Sequence, residues 1–158
     1  MLALYPLLST SNTMKQLKKP TKAKNCPRAK RFDNVCKIIR EALKIDHVRH
    51  SYIFEKKDDD DTACRYRVYD EGDYISIKVF PVFWDEPLDW QVRSLIHEHC
   101  HHICTPTTQA YNSIIEWVHA ADVQGCKQLY SKADERIVCH WEAVIYDLIK
   151  DRLEKCAL

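Results

Sequence analysis

No stretch of the chain is apolar over enough length to cross a bilayer. The segment Leu2–Leu8 is apolar, but it falls far short of the roughly 20 residues that a spanning helix needs. No basic segment precedes it and no convincing small-residue cleavage site follows, so it does not read as a secretion signal. A cytoplasmic protein without membrane contact is the expectation. Residues 1–32 lack aspartate and glutamate altogether, while carrying Lys15, Lys18, Lys19, Lys22, Lys24, Arg28, Lys30 and Arg31. That segment is therefore +8, and with an overall charge of +1 the remainder must sum to −7. A basic tail over 1–31, solvated or in weak contact with nucleic acid through residues 15–31, joins an acidic body over 32–158. The chain also lacks any C-x-x-C pair, which argues against a cysteine-only zinc knuckle. Without an export signal, its eight cysteines are expected to be free thiols. Cys36, Cys100 and Cys139 are expected to be buried on helices. Internal repeats are absent, and so is low complexity outside the tail and the run Asp58–Asp61. That run lacks the alternating spacing and central glycine of a calcium loop and reads as a solvated turn.

What remains is an ordinary globular composition, 46% hydrophobic and 30% charged over 158 residues, enough for one domain with a real core. Asp33 is a natural N-cap, and Val35, Ile38, Ile39, Ala42 and Leu43 recur at helical spacing, which predicts a helix over 33–45. Three runs rich in β-formers follow, 50–55, 64–70 and 74–83, with a turn at Glu71-Gly72, suggesting a small antiparallel sheet. Pro81 argues for an edge position or a strand terminus. Asp85, Glu86 and Pro87 then open an amphipathic helix over 87–104, with Leu88, Val92, Leu95, Ile96, Cys100 and Ile103 on its apolar face and Thr105-Pro106 as its stop. Residues 108–130 read as one or two helices broken near Gly125. Ser131 and Asp134 resemble a capping box opening a last helix over 132–153.

The chemistry lies in His97-Glu98-His99-Cys100-His101-His102. It contains H-E-x-x-H at 97–101. Positions i and i+4 share a helix face, so His97 and His101 can bind one zinc ion through ring nitrogens. Glu98, one step round the helix, can take a proton from a water activated by that ion and later return it to a leaving amine. His99 should face away from the pair, and His102 should be solvent-facing or support the site from behind. A rival set, His97, Cys100, His101 and Cys104, would have to wrap a tetrahedron round one ion from adjacent turns, which is sterically poor. An open site needs a third protein ligand. The last helix offers Glu135 and Glu142, seven residues apart on roughly one face. His140, Asp147 and His119 are weaker options. Tyr111, Tyr130 and Tyr146 are candidate donors to a developing oxyanion.

The string Leu95-Ile-His-Glu-His-Cys-His-His-Ile103, followed by Asp134-Glu-Arg-Ile-Val138, Trp141, Ile145, Tyr146 and Leu148-Ile-Lys-Asp151, resembles the small phage-type zincin metallopeptidases of gluzincin-like pattern. In those, a second helix opens with a ligand glutamate, followed by apolar residues three, six and ten positions on. The resemblance implies an α+β zincin-like minimal metalloprotease fold, with a small antiparallel or mixed sheet packed on the metal helix and a C-terminal ligand helix. It implies Glu135 as third ligand with Val138, Trp141 and Ile145 in the apolar positions, one Zn2+ per chain, and Glu98 as catalytic base. It also implies a cleft where an extended peptide or protein substrate pairs with the strand at 74–83, and, for a phage-encoded chain, action in the host cytoplasm. Two departures stand out. His101 and Glu135 are 34 positions apart, a long link, and the usually aliphatic positions after Glu98 hold His99 and Cys100. From a different class, the domain could be a metal-stabilised binding module without catalysis. A hydrolase of non-peptide amides is a third reading.

Overall fold

A computed structural model describes residues 27–57, 62–69 and 74–156. The tail up to residue 26, the aspartate run and the Glu71-Gly72 turn lie outside the described residues. The order is α1 (Pro27–Leu43), β1 (Arg49–Phe54), β2 (Cys64–Tyr69), β3 (Tyr74–Val79), a short 3-10 turn (Pro81–Trp84), α2 (Leu88–Ile115) and α3 (Val123–Cys156). The fold is α+β, with three helices and one three-stranded mixed sheet.

The first helix begins at Pro27, not Asp33. Proline suits the first helical position, where its missing N–H costs nothing, and residues 27–31 form the first turns of this helix. Phe32, Val35, Cys36 and Ile39 bury one stripe of α1. The helix ends where Lys44 adopts a left-handed φ of 59° and Ile45 N–H reaches back to the Arg40 carbonyl at 3.1 Å, a Schellman-type stop with Ile45 buried behind it.

The sheet is not purely antiparallel. Its order is β1-β3-β2, with β1 parallel and β2 antiparallel to β3. The expected third strand therefore lies in the centre. Ile75, Ile77 and Val79 are buried on one face and Ser76 on the other, as suits a strand with a neighbour along each edge. Pro81 marks the strand's end, where the chain turns into the 3-10 segment. A substrate cannot add to β3, because both of its edges are taken; among the described residues the strand paired on one side only beside α2 is β2.

Thr105-Pro106 does not stop α2, which runs on to Ile115 with Pro106 inside it. The proline removes one helical hydrogen bond, but contacts beyond it hold the chain in place. Tyr111 stacks on Tyr130 of α3 at 4.1 Å between ring centres, and the Thr108 hydroxyl donates to the Cys104 carbonyl at 3.0 Å while contacting the Tyr130 hydroxyl at 2.7 Å. Tertiary packing thus overrides a local breaker. Likewise α3 is one helix from Val123, and Ser131 lies in its interior. Gly125 falls in the first turn, where it interrupts little. Of the expected metal-helix stripe, Val92, Leu95, Ile96 and Cys100 are buried, whereas Leu88 and Ile103 are about 40% exposed. Six described cysteines are free; Cys36 and Cys100 are buried, but Cys139 is exposed.

The core lies where α1, β3, α2 and α3 meet, built from Ile39, Ile77, Ile96, Val138, Ile145 and Ile149 among others. The sheet lies against one side of α2 and α3 lies across another, so one face of α2 is presented to the last helix. No helix among the described residues is long and apolar enough to cross a membrane.

Candidate metal centre

His97 and His101 lie one turn apart on α2, with ring centres 5.0 Å apart. Their Nε2 atoms converge on one carboxylate. His97 Nε2 is 3.4 Å from Glu135 Oε2, and His101 Nε2 is 3.7 Å from Glu135 Oε1. A tetrahedral zinc with ligand bonds of 2.0–2.1 Å sets neighbouring ligand atoms about 3.3 Å apart. The spacing between each histidine and Glu135 is therefore close to what a shared ion would require, and the three side chains form a group able to hold a metal.

The other nitrogen of each ring is also engaged. His97 Nδ1 lies 3.2 Å from Glu142 Oε2, and His101 Nδ1 lies 3.2 Å from Asp134 Oδ2. Each carboxylate can accept the Nδ1–H proton, which leaves Nε2 with its lone pair directed at Glu135. This is the arrangement that supports metal-binding histidines, with an acceptor fixing tautomer and ring orientation. Asp134 is in turn approached by the Tyr130 hydroxyl at 3.5 Å, and Glu142 by Arg93 Nη1 at 3.6 Å. The geometry gives Glu135 and Glu142 different places: Glu135 faces both Nε2 atoms, Glu142 faces the back of His97. The capping-box reading of Asp134 is replaced by this contact with His101, since α3 has no terminus there.

Glu98 is half-buried beside the pair, and its Oε2 accepts the Tyr66 backbone N–H at 2.6 Å. Burial raises its pKa above the usual carboxylate range, against the lowering influence of His101 and His97 and of the Tyr66 hydrogen bond. The Tyr66 ring stacks on His101 at 5.8 Å, and its hydroxyl contacts Thr105 at 3.0 Å. A cavity of about 290 Å3 opens next to His97 and Glu98, lined by Ala63, Cys64, Trp90, Ser94 and Glu142.

His99 points away from the pair, as expected, into a closed relay. Arg40 donates to the Tyr52 hydroxyl at 2.7 Å; that hydroxyl lies 3.1 Å from His99 Nε2; His99 Nδ1 lies 2.6 Å from the Leu95 carbonyl. Only one proton assignment satisfies every partner: Nδ1–H donates to Leu95 and Nε2 accepts from Tyr52. Burial pushes this imidazole down to about 3, so it is neutral.

The remaining candidates are elsewhere. His102 is half-buried, 3.5 Å from the Tyr66 hydroxyl. His119 is exposed and accepts the Ala121 N–H. His140 is exposed against Trp141, and Asp147 is exposed beside Lys150. Cys100 and Cys104 are buried and share no metal-holding group with the histidines among the described residues. Of the three tyrosines, Tyr146 donates to Asp89, Tyr130 lies between Thr108 and Asp134, and the buried Tyr111 hydroxyl has no partner. Val138 and Ile145 are buried, but Trp141 is 40% exposed, so only two of the three apolar positions after Glu135 face the core. Sequence reasoning missed Tyr66, Arg93 and the roles of Asp134 and Cys139. Arg93 could have been found as the position one turn before His97; the Tyr66 N–H that holds Glu98 belongs to the backbone and leaves no sequence signal. The chain matches no family model, no curated protein and no solved structure.

Proposed function

We propose that the chain is a zinc-dependent metallopeptidase with a minimal zincin-like fold, in which His97, His101 and Glu135 hold the ion and Glu98 is the general base. One observation carries this reading: both histidines aim Nε2 at Glu135 while a separate carboxylate backs each Nδ1. The donor set, two imidazoles and one carboxylate, is of the kind that leaves zinc a position for water. When bound, zinc supplies acidification of water and polarisation of a carbonyl.

The protein's own groups do the rest. Glu98, half-buried and with its pKa raised by desolvation, is suited both to accept a proton and to give it to a departing amine. The Tyr66 N–H holds Glu98 Oε2 and so fixes where that proton is taken. The Tyr66 ring covers His101 and keeps bulk water off that side. An extended peptide can add along the outer edge of β2 at positions other than Tyr66, whose N–H is held by Glu98, with one side chain in the cavity beside Trp90 and Ser94.

The test is paired. Elemental analysis of chain purified without a metal-affinity tag should give one zinc in wild type and in Glu98→Gln, and a loss in Glu135→Ala. Peptide hydrolysis should vanish in both variants. If Glu98→Gln hydrolyses as wild type does, or if no hydrolysis accompanies a stoichiometric metal, the enzyme reading fails in favour of a metal-stabilised binding module. If supplied zinc never binds stoichiometrically, both fail.

A further inference from the structure

On α3, Glu135, Cys139 and Glu142 follow at steps of four and three, so they form one stripe. Glu135 meets the Nε2 atoms of the two histidines. Further along the stripe, Cys139 and Glu142 form a second trio with His97, in which one ligand atom from each residue lies within 4.8 Å of the others. His97 thus stands between two groups of donors. Its Nε2 faces Glu135 at 3.4 Å, and its Nδ1 faces Glu142 at 3.2 Å. Cys139 is exposed and unpaired, so an ion can reach it from solvent.

We propose that Cys139, Glu142 and His97 form a second metal site, adjoining the first and selective for thiophilic divalent cations such as zinc or cadmium. The proposal rests on the metallopeptidase reading only in that the two sites share His97. Thiolate, imidazole and carboxylate are the three donor types zinc accepts, and a thiolate selects against magnesium and calcium. The second site is the weaker one for two reasons. With the first site filled through Nε2, binding at Nδ1 releases the ring proton as well as the Cys139 thiol proton, leaving the ring as an imidazolate bridge. The incoming ion must also draw Glu142 from Arg93, whose Nη1 lies 3.6 Å from Glu142 Oε1. Filling it replaces the His97–Glu142 hydrogen bond by coordination and alters the ligand strength of His97 at the first site. Excess metal should therefore inhibit hydrolysis.

The full-length chain, stripped of metal, is titrated with cadmium. Ultraviolet thiolate-to-metal charge transfer and bound-metal stoichiometry are followed together. Wild type should bind one equivalent more than Cys139→Ser, and the charge-transfer increment of that equivalent should be missing from the variant. Glu135→Ala, which damages the first site, should keep the Cys139-dependent band. Glu142→Gln should weaken both equivalents, the first because His97 loses the carboxylate behind its Nδ1, whereas Cys139→Ser should weaken the second alone. Equal stoichiometry in wild type and Cys139→Ser, or a band indifferent to Cys139, would overturn the second site. If one equivalent is bound in both and lost in Glu135→Ala, the second site alone fails and the first stands.

Discussion

Asp134 touches no substrate in the proposed reaction, yet its carboxylate, 3.2 Å from His101 Nδ1, decides how that ring lies. Removing such an acceptor typically costs 10- to 100-fold in metal affinity. Asp134→Asn should lower zinc affinity by that order in a chelator competition, with Glu98→Gln unaffected in the same assay. Tyr52→Phe leaves His99 Nε2 without its donor in a buried place and Arg40 without its acceptor. The expected loss is about 1–3 kcal/mol in denaturant unfolding. These residues show where the sequence was legible and where it was not. H-E-x-x-H is readable because helical periodicity alone puts positions 97 and 101 together. Choosing Glu135 over Glu142 needed the resemblance, because both fall on one face of α3 and only the azimuth of α2 decides which ring nitrogen each one meets.

The elements carry the same lesson. Strand positions were legible from β-forming runs, but the order β1-β3-β2 was not. Nothing local says that the first strand skips the second and pairs with the third in parallel. Pro106 and Gly125 were read as helix breaks because local propensity says so, and both were overridden. The two cases differ in how. Pro106 is held by the Tyr111–Tyr130 stack and the Thr108–Tyr130 contact, whereas Gly125 is in open space, with nothing within 4 Å of an added Cβ. Gly125→Ala should therefore stabilise the protein, by about 0.4–1 kcal/mol, through the lost freedom of the unfolded chain. A rise in the thermal midpoint checks it, and a fall would mean that the helix does not start before residue 125.

At the scale of the whole molecule, stability should follow both metal and pH. Zinc held across α2 and α3 as proposed would favour only the folded chain, so zinc at 100 times its dissociation constant should add about 2.7 kcal/mol, removed by chelation. His50, next to Arg40, Asp46, His99 and His102, is pushed down to about 4, chiefly by burial. The unfolded imidazole titrates near 6.5, so on acidification the unfolded chain binds this proton first. The stabilisation is complete above about pH 6.5 and is lost progressively towards pH 4. Unfolding midpoints should fall between pH 7 and 5, and His50→Gln should flatten that slope. The Arg40–Tyr52–His99 relay has a consequence of its own. A helix turns about 100° per residue, so gripping His99 from α1 and β1 sets the rotation of α2 about its long axis. His97 and His101 are then aimed like teeth on a keyed shaft, and the far side of the protein governs their bearing towards α3. Tyr52→Phe should accordingly weaken zinc binding, as well as stability, although no atom of Tyr52 belongs to the metal centre.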